Sequence, residues 1–490
     1  MTAEMPTQLP TRPDPSTDPS GDSPAGSSPA HQLAAEALRP LCGGDVHLPG
    51  DPGFDDARRA WNLVVDQHPA AVAVPHDAGD VAAVVRAAAT AGLRVAPQST
   101  GHNAGPLAAR GLDDVVLVRM SGMESVSIDP SARIARVEGG ALWGPAVDAA
   151  GEAGLAALHG SSPDVGIAGY TLGGGIGWYS RKLGLAANSL TAVEVVIADG
   201  TLVRADSDTE PELFWALRGG GGSFGVVTAM EFALYPIESA YAGIMLWDAV
   251  SAEQVLRTWA AWAPTAPDEV TTAFRMMNMP PLPELPDFLR GRSVVIVDGA
   301  VLGSEEQGRE ILGDLRGLQP ELDTFAQVPP AGLARLHMDP EGGAPGVSDT
   351  ALLGALPDAA VDAMLADAGP GSGSSLLATE LRQLGGALGR QHPAGGALSS
   401  LDAAFMAFGV AMTPTPESCR QGLADAQRLI GGLAPWSTGT TYLNFAENPV
   451  DPSTAYSEDG WQRLARVRAA VDPAGLFAAN HEVPRLGEVA

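Results

Sequence analysis

Pro163-Asp164-Val165-Gly166-Ile167-Ala168-Gly169-Tyr170-Thr171-Leu172-Gly173-Gly174-Gly175-Ile176-Gly177 gathers six glycines into one stretch. Glycine at this density strips side chains from a backbone that has to press against something flat and anionic. Upstream, Gln98-Ser99-Thr100-Gly101-His102-Asn103 repeats the device on a smaller scale and sets a histidine at the tip of its loop. The two runs together point to a bound dinucleotide. A nicotinamide-binding unit needs G-x-G-x-x-G directly after its first strand. Nothing after the first strand, Val72-Ala73-Val74-Pro75, has that form. The order of the runs therefore favours a flavin.

Working outward, Asp77 to Asp80 supplies helix-start chemistry, and Val81, Val84, Val85 and Ala88 repeat at i, i+3, i+4, i+7. Gly92 ends that helix and Leu93–Pro97 returns as a strand, so the His102 loop leaves a βαβ unit. Val115–Val118, Ile134–Glu138, Leu190–Ala198 and Phe224–Phe232 read as further strands. Asp199-Gly200 reads as a hairpin turn that pairs Leu202–Ala205 back. Ala141–Ala153 and Glu210–Arg218 read as helices. After Pro236 the texture changes. Ala242–Leu246, Val294–Leu302 and Ala404–Met412 read as strands, with helices over Ala252–Trp262, Glu305–Leu315 and Ser418–Leu429, which suits an antiparallel sheet. The tail, with a helix at Asp459–Val471 and a stop at Asp472-Pro473, is expected to return to the first domain.

The chain has 490 residues and a net charge of −29, so repulsion keeps nucleic acid and anionic membranes away. Residues 1–30 are rich in Pro, Ser, Thr and Asp and are expected to be disordered. No apolar run is long enough for a membrane span, and the N-terminus lacks the basic and apolar regions of a signal peptide, so a cytoplasmic location is expected. The two cysteines, Cys42 and Cys419, make no disulfide framework. No C-x-x-C or H-E-x-x-H spacing calls for a metal.

The Gly101-His102 loop, Pro163–Gly177, Arg181-Lys182 with Gly184-Leu185, Trp215–Thr228, Tyr442-x-Asn444 and Asp472-Pro473 with Phe477 resemble the berberine-bridge-enzyme-like oxidoreductases. These belong to the wider vanillyl-alcohol-oxidase, PCMH-type FAD proteins. The resemblance implies an α+β chain in which a PCMH-type FAD-binding domain of two α/β subdomains (31–239) is joined by the segment 439–490. An antiparallel-sheet substrate domain (240–438) lies over the flavin. It implies that His102 is joined covalently to the flavin 8α-methyl carbon, as a neutral imidazole nucleophile allows. Doubly linked members carry Cys where this chain has Ser162, so one covalent link is expected.

The resemblance further places FAD against Gln98, Ser99, Thr100, Gly101 and Asn103, and against Ser162, Pro163, Asp164, Gly166, Gly169, Tyr170, Gly173, Gly174, Gly175 and Gly177. Gly222, Val226, Val227 and Asn444 complete the set. Tyr170 reads either as a donor to reduced flavin or as a ring packed beside it. Arg181 and Lys182 read either as phosphate partners or as a solvated pair. Tyr442 and Asn444, two apart on an extended segment, would face the same way. Tyr442 is then the candidate for acid–base work or substrate positioning, and as a base it needs a lowered pKa. His159, His337 and His392 have no assignable role. The implied activity is oxidation of an alcohol or C–H centre of a small organic molecule, a sugar or a secondary metabolite, by hydride transfer to flavin N5, with oxygen as acceptor. An NADPH-dependent reductase on the same fold and a non-catalytic flavin-binding protein are the alternatives.

Overall fold

The computed structural model describes residues 29–487 apart from Pro340. The 1–30 segment falls outside the described residues but for its last two, which open the helix Pro29–Glu36.

Three sheets organise the chain. In the first, Ala71–Ala73, Val115–Arg119 and Arg94–Gln98 run parallel, with Val46–His47 antiparallel at one edge. Asp77 caps the helix Ala78–Ala91 by accepting the Asp80 N–H, and Gly92, at φ +70°, closes it. The helix buries Val81, Val84, Val85 and Ala88 against the sheet. The βαβ unit is present, with Val115–Arg119 inserted between its two strands. The second sheet is wholly antiparallel. Its order is Val126–Asp129, Ile134–Glu138, Val226–Ala233, Leu190–Val196, Leu202–Asp206.

The third sheet has eight strands, all antiparallel. Five of its strands went unread in the sequence: Val270–Asn278, Leu322–Asp323, Ala326–Val328, Gly346–Leu353 and Ala378–Gln383. The helix Asp358–Ala368 was also missed. One face of this sheet packs Trp247, Phe274, Phe405 and Leu381 under the helices Ala252–Trp262, Asp358–Ala368 and Pro416–Leu433. Each such aromatic or leucine contributes roughly 1.5–3 kcal/mol on burial. The opposite face turns to the first two sheets. There Ala273 and Ala300 meet Trp178 and Tyr179, and Leu352 and Met406 meet Ile176 and Tyr442.

Two arginines tie the parts together. Arg181 is buried and donates to the carbonyls of Val270, Ala266, Pro267 and Leu384. It therefore serves neither phosphate nor solvent, because its donors are spent on backbone carbonyls at and beside the strands Val270–Asn278 and Ala378–Gln383. Lys182 pairs with Glu269 at 2.6 Å on the surface. Arg468, on the helix Glu458–Val471, is buried and donates to Phe477 O at 3.0 Å and to Glu482 at 2.7 Å. This holds the tail where Val95 N–H reaches Leu476 O (2.9 Å) and Ala478 N–H reaches Val95 O (2.8 Å). The last residues thus extend the first sheet. Cys42 and Cys419 are both free. No helix of the described residues is long and apolar enough to cross a membrane.

Candidate active site

The His102 loop is shaped by Gly101, at φ +83°, where an added Cβ would sit 3.0 Å from the Ala60 backbone. The turn lays the His102 ring on Trp61, with centroids 4.0 Å apart and planes 16° off parallel. Thr100 Oγ1 is 2.7 Å from His102 Nδ1. Asp164 Oδ1 lies 3.9 Å from Nε2. Asp164 itself accepts from Trp61 Nε1 (2.7 Å), Ser162 Oγ (2.8 Å) and Gly342 N (2.8 Å). Burial drives the imidazole pKa down to about 4, against the opposing pull of Asp164. The ring is neutral at physiological pH.

The glycines divide into two kinds. Gly166, Gly173, Gly175 and Gly177 make room for protein: a Cβ would lie 2.3 Å from Ser99 Oγ, 1.8 Å from Asn444 Oδ1, 2.4 Å from Tyr170 Cε1 and 1.8 Å from His159 O, respectively. Gly174, at φ +114°, meets Leu398 at 3.0 Å. Gly169 and Gly222 border open space, with nothing within 4 Å of the first and only Ala479 Cβ, at 3.9 Å, near the second. Among the glycines assigned to the cofactor, only these two leave bare main chain without a close neighbour.

Several side chains assigned to the cofactor are committed elsewhere. Gln98 exchanges amide bonds with Gln67 and accepts from Arg119 Nη1 at 2.9 Å. The Val226 side chain lies in the first-sheet core and that of Val227 in the second-sheet core. Pro163 O accepts the Gly144 N–H at 2.7 Å. Ser99 Oγ reaches Gly140 O at 3.5 Å. Asn103 Nδ2 donates to Leu443 O at 2.9 Å, while its Oδ1 is buried without a partner.

Tyr442 is 1% exposed. Its oxygen accepts from Gly175 N (2.9 Å) and Asn444 Nδ2 (3.2 Å). Asn444 also donates to Tyr170 O at 2.8 Å. The segment is not extended as expected, because Leu443–Phe445 forms a 3₁₀ turn. The long Asn444 side chain still reaches back to the phenol. Nor is the phenol acidified. Burial pushes its pKa above the ordinary range, opposed by the Asn444 and Gly175 bonds and by the Arg382 charge. Tyr170 is raised too, chiefly by burial, and its hydroxyl has no partner while its ring stands edge-on to Trp143 (5.4 Å, 84°).

The sheet face opposite these tyrosines carries a buried charge cluster that the sequence did not reveal. Arg275 Nη2 meets Asp298 Oδ2 at 2.6 Å. His337 Nδ1 meets the same oxygen at 2.7 Å, and its Nε2 meets Glu380 Oε2 at 3.3 Å. Arg382 Nε pairs with Glu380 Oε1. With a carboxylate at each ring nitrogen, His337 is a doubly donating imidazolium, and its pKa is raised to about 9 although burial opposes it. Glu380 is held well below the carboxylate range by Arg382 and His337, against the cost of burial. Arg382 lies over the Phe445 ring (5.0 Å), and Phe445 stacks beside Tyr442 (6.0 Å). A narrow cleft of about 20 Å³ opens here between Ser161, Ile176, Gly177 and Trp178 on one side and Ala273 and Arg382 on the other. His159 is buried away from it against Gly160 O, and His392 caps an exposed turn.

A family model described as an FAD binding domain matches residues 69–206. Residues 69–206 thus carry an FAD-binding domain of the kind that model describes. (R)-6-hydroxynicotine oxidase of Paenarthrobacter nicotinovorans is 38% identical over 205 residues, which are 42% of this chain and 44% of that one. The chain thus spans less than half the length of the curated relatives it first matches. Likeness of fold runs further. The crystal structure of 6-hydroxy-D-nicotine oxidase from Arthrobacter nicotinovorans superposes with a TM-score of 0.76 at 26% identity, covering 90% of this chain and 97% of that one. The BBE-like 1 protein of Physcomitrella patens gives 0.79 at 23% identity, covering 93% and 99%.

The residues present fit FAD. The neutral His102, the open main chain at Gly169 and Gly222, and the unpartnered buried atoms Asn103 Oδ1 and Tyr170 OH are what a large polar aromatic cofactor would cover and satisfy.

Proposed function

We propose that this flavoprotein is an oxygen-using oxidase of the cytoplasm that dehydrogenates an alcohol or C–H centre of a small organic molecule. The observation that supports the reading is the Gly175–Tyr442–Asn444 constellation, which the Phe445 ring joins to Arg382 on the facing sheet. His102 holds the flavin through a single covalent bond, since Ser162 donates to Asp164 and has no thiol to offer. Bound FAD supplies a two-electron acceptor for the substrate hydride.

The chain's own residues orient and enclose. The Tyr442 oxygen accepts both N–H bonds, so its hydroxyl proton is the one left to donate to a substrate oxygen. Its raised pKa keeps that proton in place at neutral pH. The role is positioning, which pre-aligned donors perform without reorganisation. Ile176 and Leu388 pack with Tyr442 in one apolar cluster and keep water from its ring.

The purified protein is expected to be yellow, to bleach anaerobically with substrate, and to recover its colour in oxygen with release of hydrogen peroxide. Bleaching by NADPH instead would replace this reading with a reductase. Colour that no alcohol, sugar or alkaloid discharges would replace it with a binding protein. In Tyr442→Phe, FAD content stays unchanged and anaerobic reduction slows about 10²-fold, the usual worth of one well-placed donor. Reduction at the wild-type rate would remove Tyr442 from the mechanism.

A further inference from the structure

A carboxylate held by three donors stands beside the cofactor histidine. Asp164 accepts from Trp61 Nε1 (2.7 Å), Ser162 Oγ (2.8 Å) and Gly342 N (2.8 Å), so three separate segments of the chain fix its two oxygens. Its Oδ1 stands 3.9 Å from His102 Nε2, and the two side chains are 15% and 26% exposed. That distance is too long for a hydrogen bond and short enough for an ion pair. Among the described residues no other carboxylate lies so near the ring.

The two ring nitrogens are therefore not alike. A carboxylate attracts an N–H and repels a lone pair, so the proton of the neutral ring belongs on Nε2. Nδ1 then keeps its lone pair, and Thr100 Oγ1, 2.7 Å away, donates to it. That hydroxyl hydrogen turns aside by rotation about one bond, which frees Nδ1 to bond carbon. Bonding at Nδ1 makes the ring a cation until Nε2 gives up its proton. A fixed anion 3.9 Å away acts on that cation far more strongly than on the neutral ring that precedes it. The stacked indole of Trp61, 4.0 Å from the imidazole, adds the attraction of an aromatic face for a cation.

We propose that Asp164 is the positioning residue for cofactor attachment: it keeps the imidazole proton on Nε2, leaves Nδ1 to form the bond, and stabilises the cation formed there. The inference deepens the proposed function and rests on the His102 link. In the balanced step one flavin 8α C–H bond and one imidazole N–H bond break, and one C–N bond forms. Both protons leave, that of Nε2 by way of Asp164, and the C–H electron pair passes to the flavin ring system. Dioxygen takes that pair with two protons and becomes hydrogen peroxide.

Full-length protein from riboflavin-starved cells tests it, given FAD in air, with flavin in the acid-precipitated pellet followed against time. Asp164→Asn is expected to bind FAD as tightly as the wild type and to link it at least about ten-fold more slowly, a unit charge about 4 Å away being worth that much. Asp164→Glu restores part of the rate. Added formate does the same in Asp164→Ala without changing its FAD affinity, which a merely structural carboxylate would not allow. Should the variants fail to fold, the flavin peptide of the wild type decides, since NMR identifies the bonded nitrogen as Nδ1. Attachment at the wild-type rate in Asp164→Asn, an Asp164→Ala rate that formate leaves unchanged, or a bond at Nε2 overturns the inference. The His102 link fails separately, by a wild-type pellet that never gains colour although FAD binds.

Discussion

Acid precipitation of His102→Ala is expected to release all of the flavin into the supernatant, whereas the wild-type pellet stays yellow. The argument starts from the loop. Gly101 takes a left-handed turn and Trp61 stacks on the imidazole, so the ring has one orientation. Burial holds its pKa near 4, so a neutral ring is the dominant form at every pH above that. A neutral imidazole is a nucleophile, and an imidazolium is not. The nearest alternative attachment point, Ser162, is a hydroxyl committed to Asp164 at 2.8 Å. Loss of the imidazole therefore leaves nothing to replace it, and the effect is all or none. Reconstitution of the apoprotein below about pH 4 should also slow attachment, as the ring takes up a proton. A variant pellet that keeps its colour would place the bond on another residue.

Asp298→Ala is expected to cost about 3–5 kcal/mol of folding stability, the usual penalty for stranding a buried partner. Here it strands two, Arg275 and His337, both bonded to the same Oδ2. The pH profile provides a second measure. His337 is raised from an ordinary 6.5 to about 9. Its contribution is fully present below 6.5 and is lost as pH climbs through 9, on the order of 3 kcal/mol at 1.36 kcal/mol per unit. Glu380 is displaced the other way, so its contribution is present above 4.5 and is lost on acidification below that. Urea unfolding at pH 6.5 and pH 9.5 measures the His337 contribution. The wild type should lose stability across that interval, and Asp298→Ala should lose less of it, having lost the carboxylate at Nδ1. Equal midpoints for the two proteins at pH 6.5 would show that the cluster does not carry this part of the fold.

The regular elements were readable because their residues obey one period. Val81, Val84, Val85 and Ala88 declared a helix face, and Ala252–Trp262 runs over the very residues expected. Ala378–Gln383 was not readable, because Glu380 and Arg382 occupy its inward face. An inward charge makes a buried strand look like a polar surface. Arg275 does the same to Val270–Asn278. The strands that carry the cleft were thus among those missed. Arg181 shows the same limit. A basic residue beside a glycine-rich run suggests a phosphate, yet its donors went to carbonyls of residues 266, 267, 270 and 384, far along the chain.

By itself the sequence determined that the chain carries a glycine-rich run and a histidine-tipped loop, since turn geometry and local periodicity are properties of neighbours in the chain. It also determined that Ser162 brings no second thiol. Only the tertiary structure decided which glycines face open space and which yield to Asn444, Tyr170 and His159. It alone brought Arg275, Asp298, His337, Glu380 and Arg382 into one cluster. Ion pairing across strands depends on sheet register and on what is excluded from water, and neither is encoded in the spacing of any one segment.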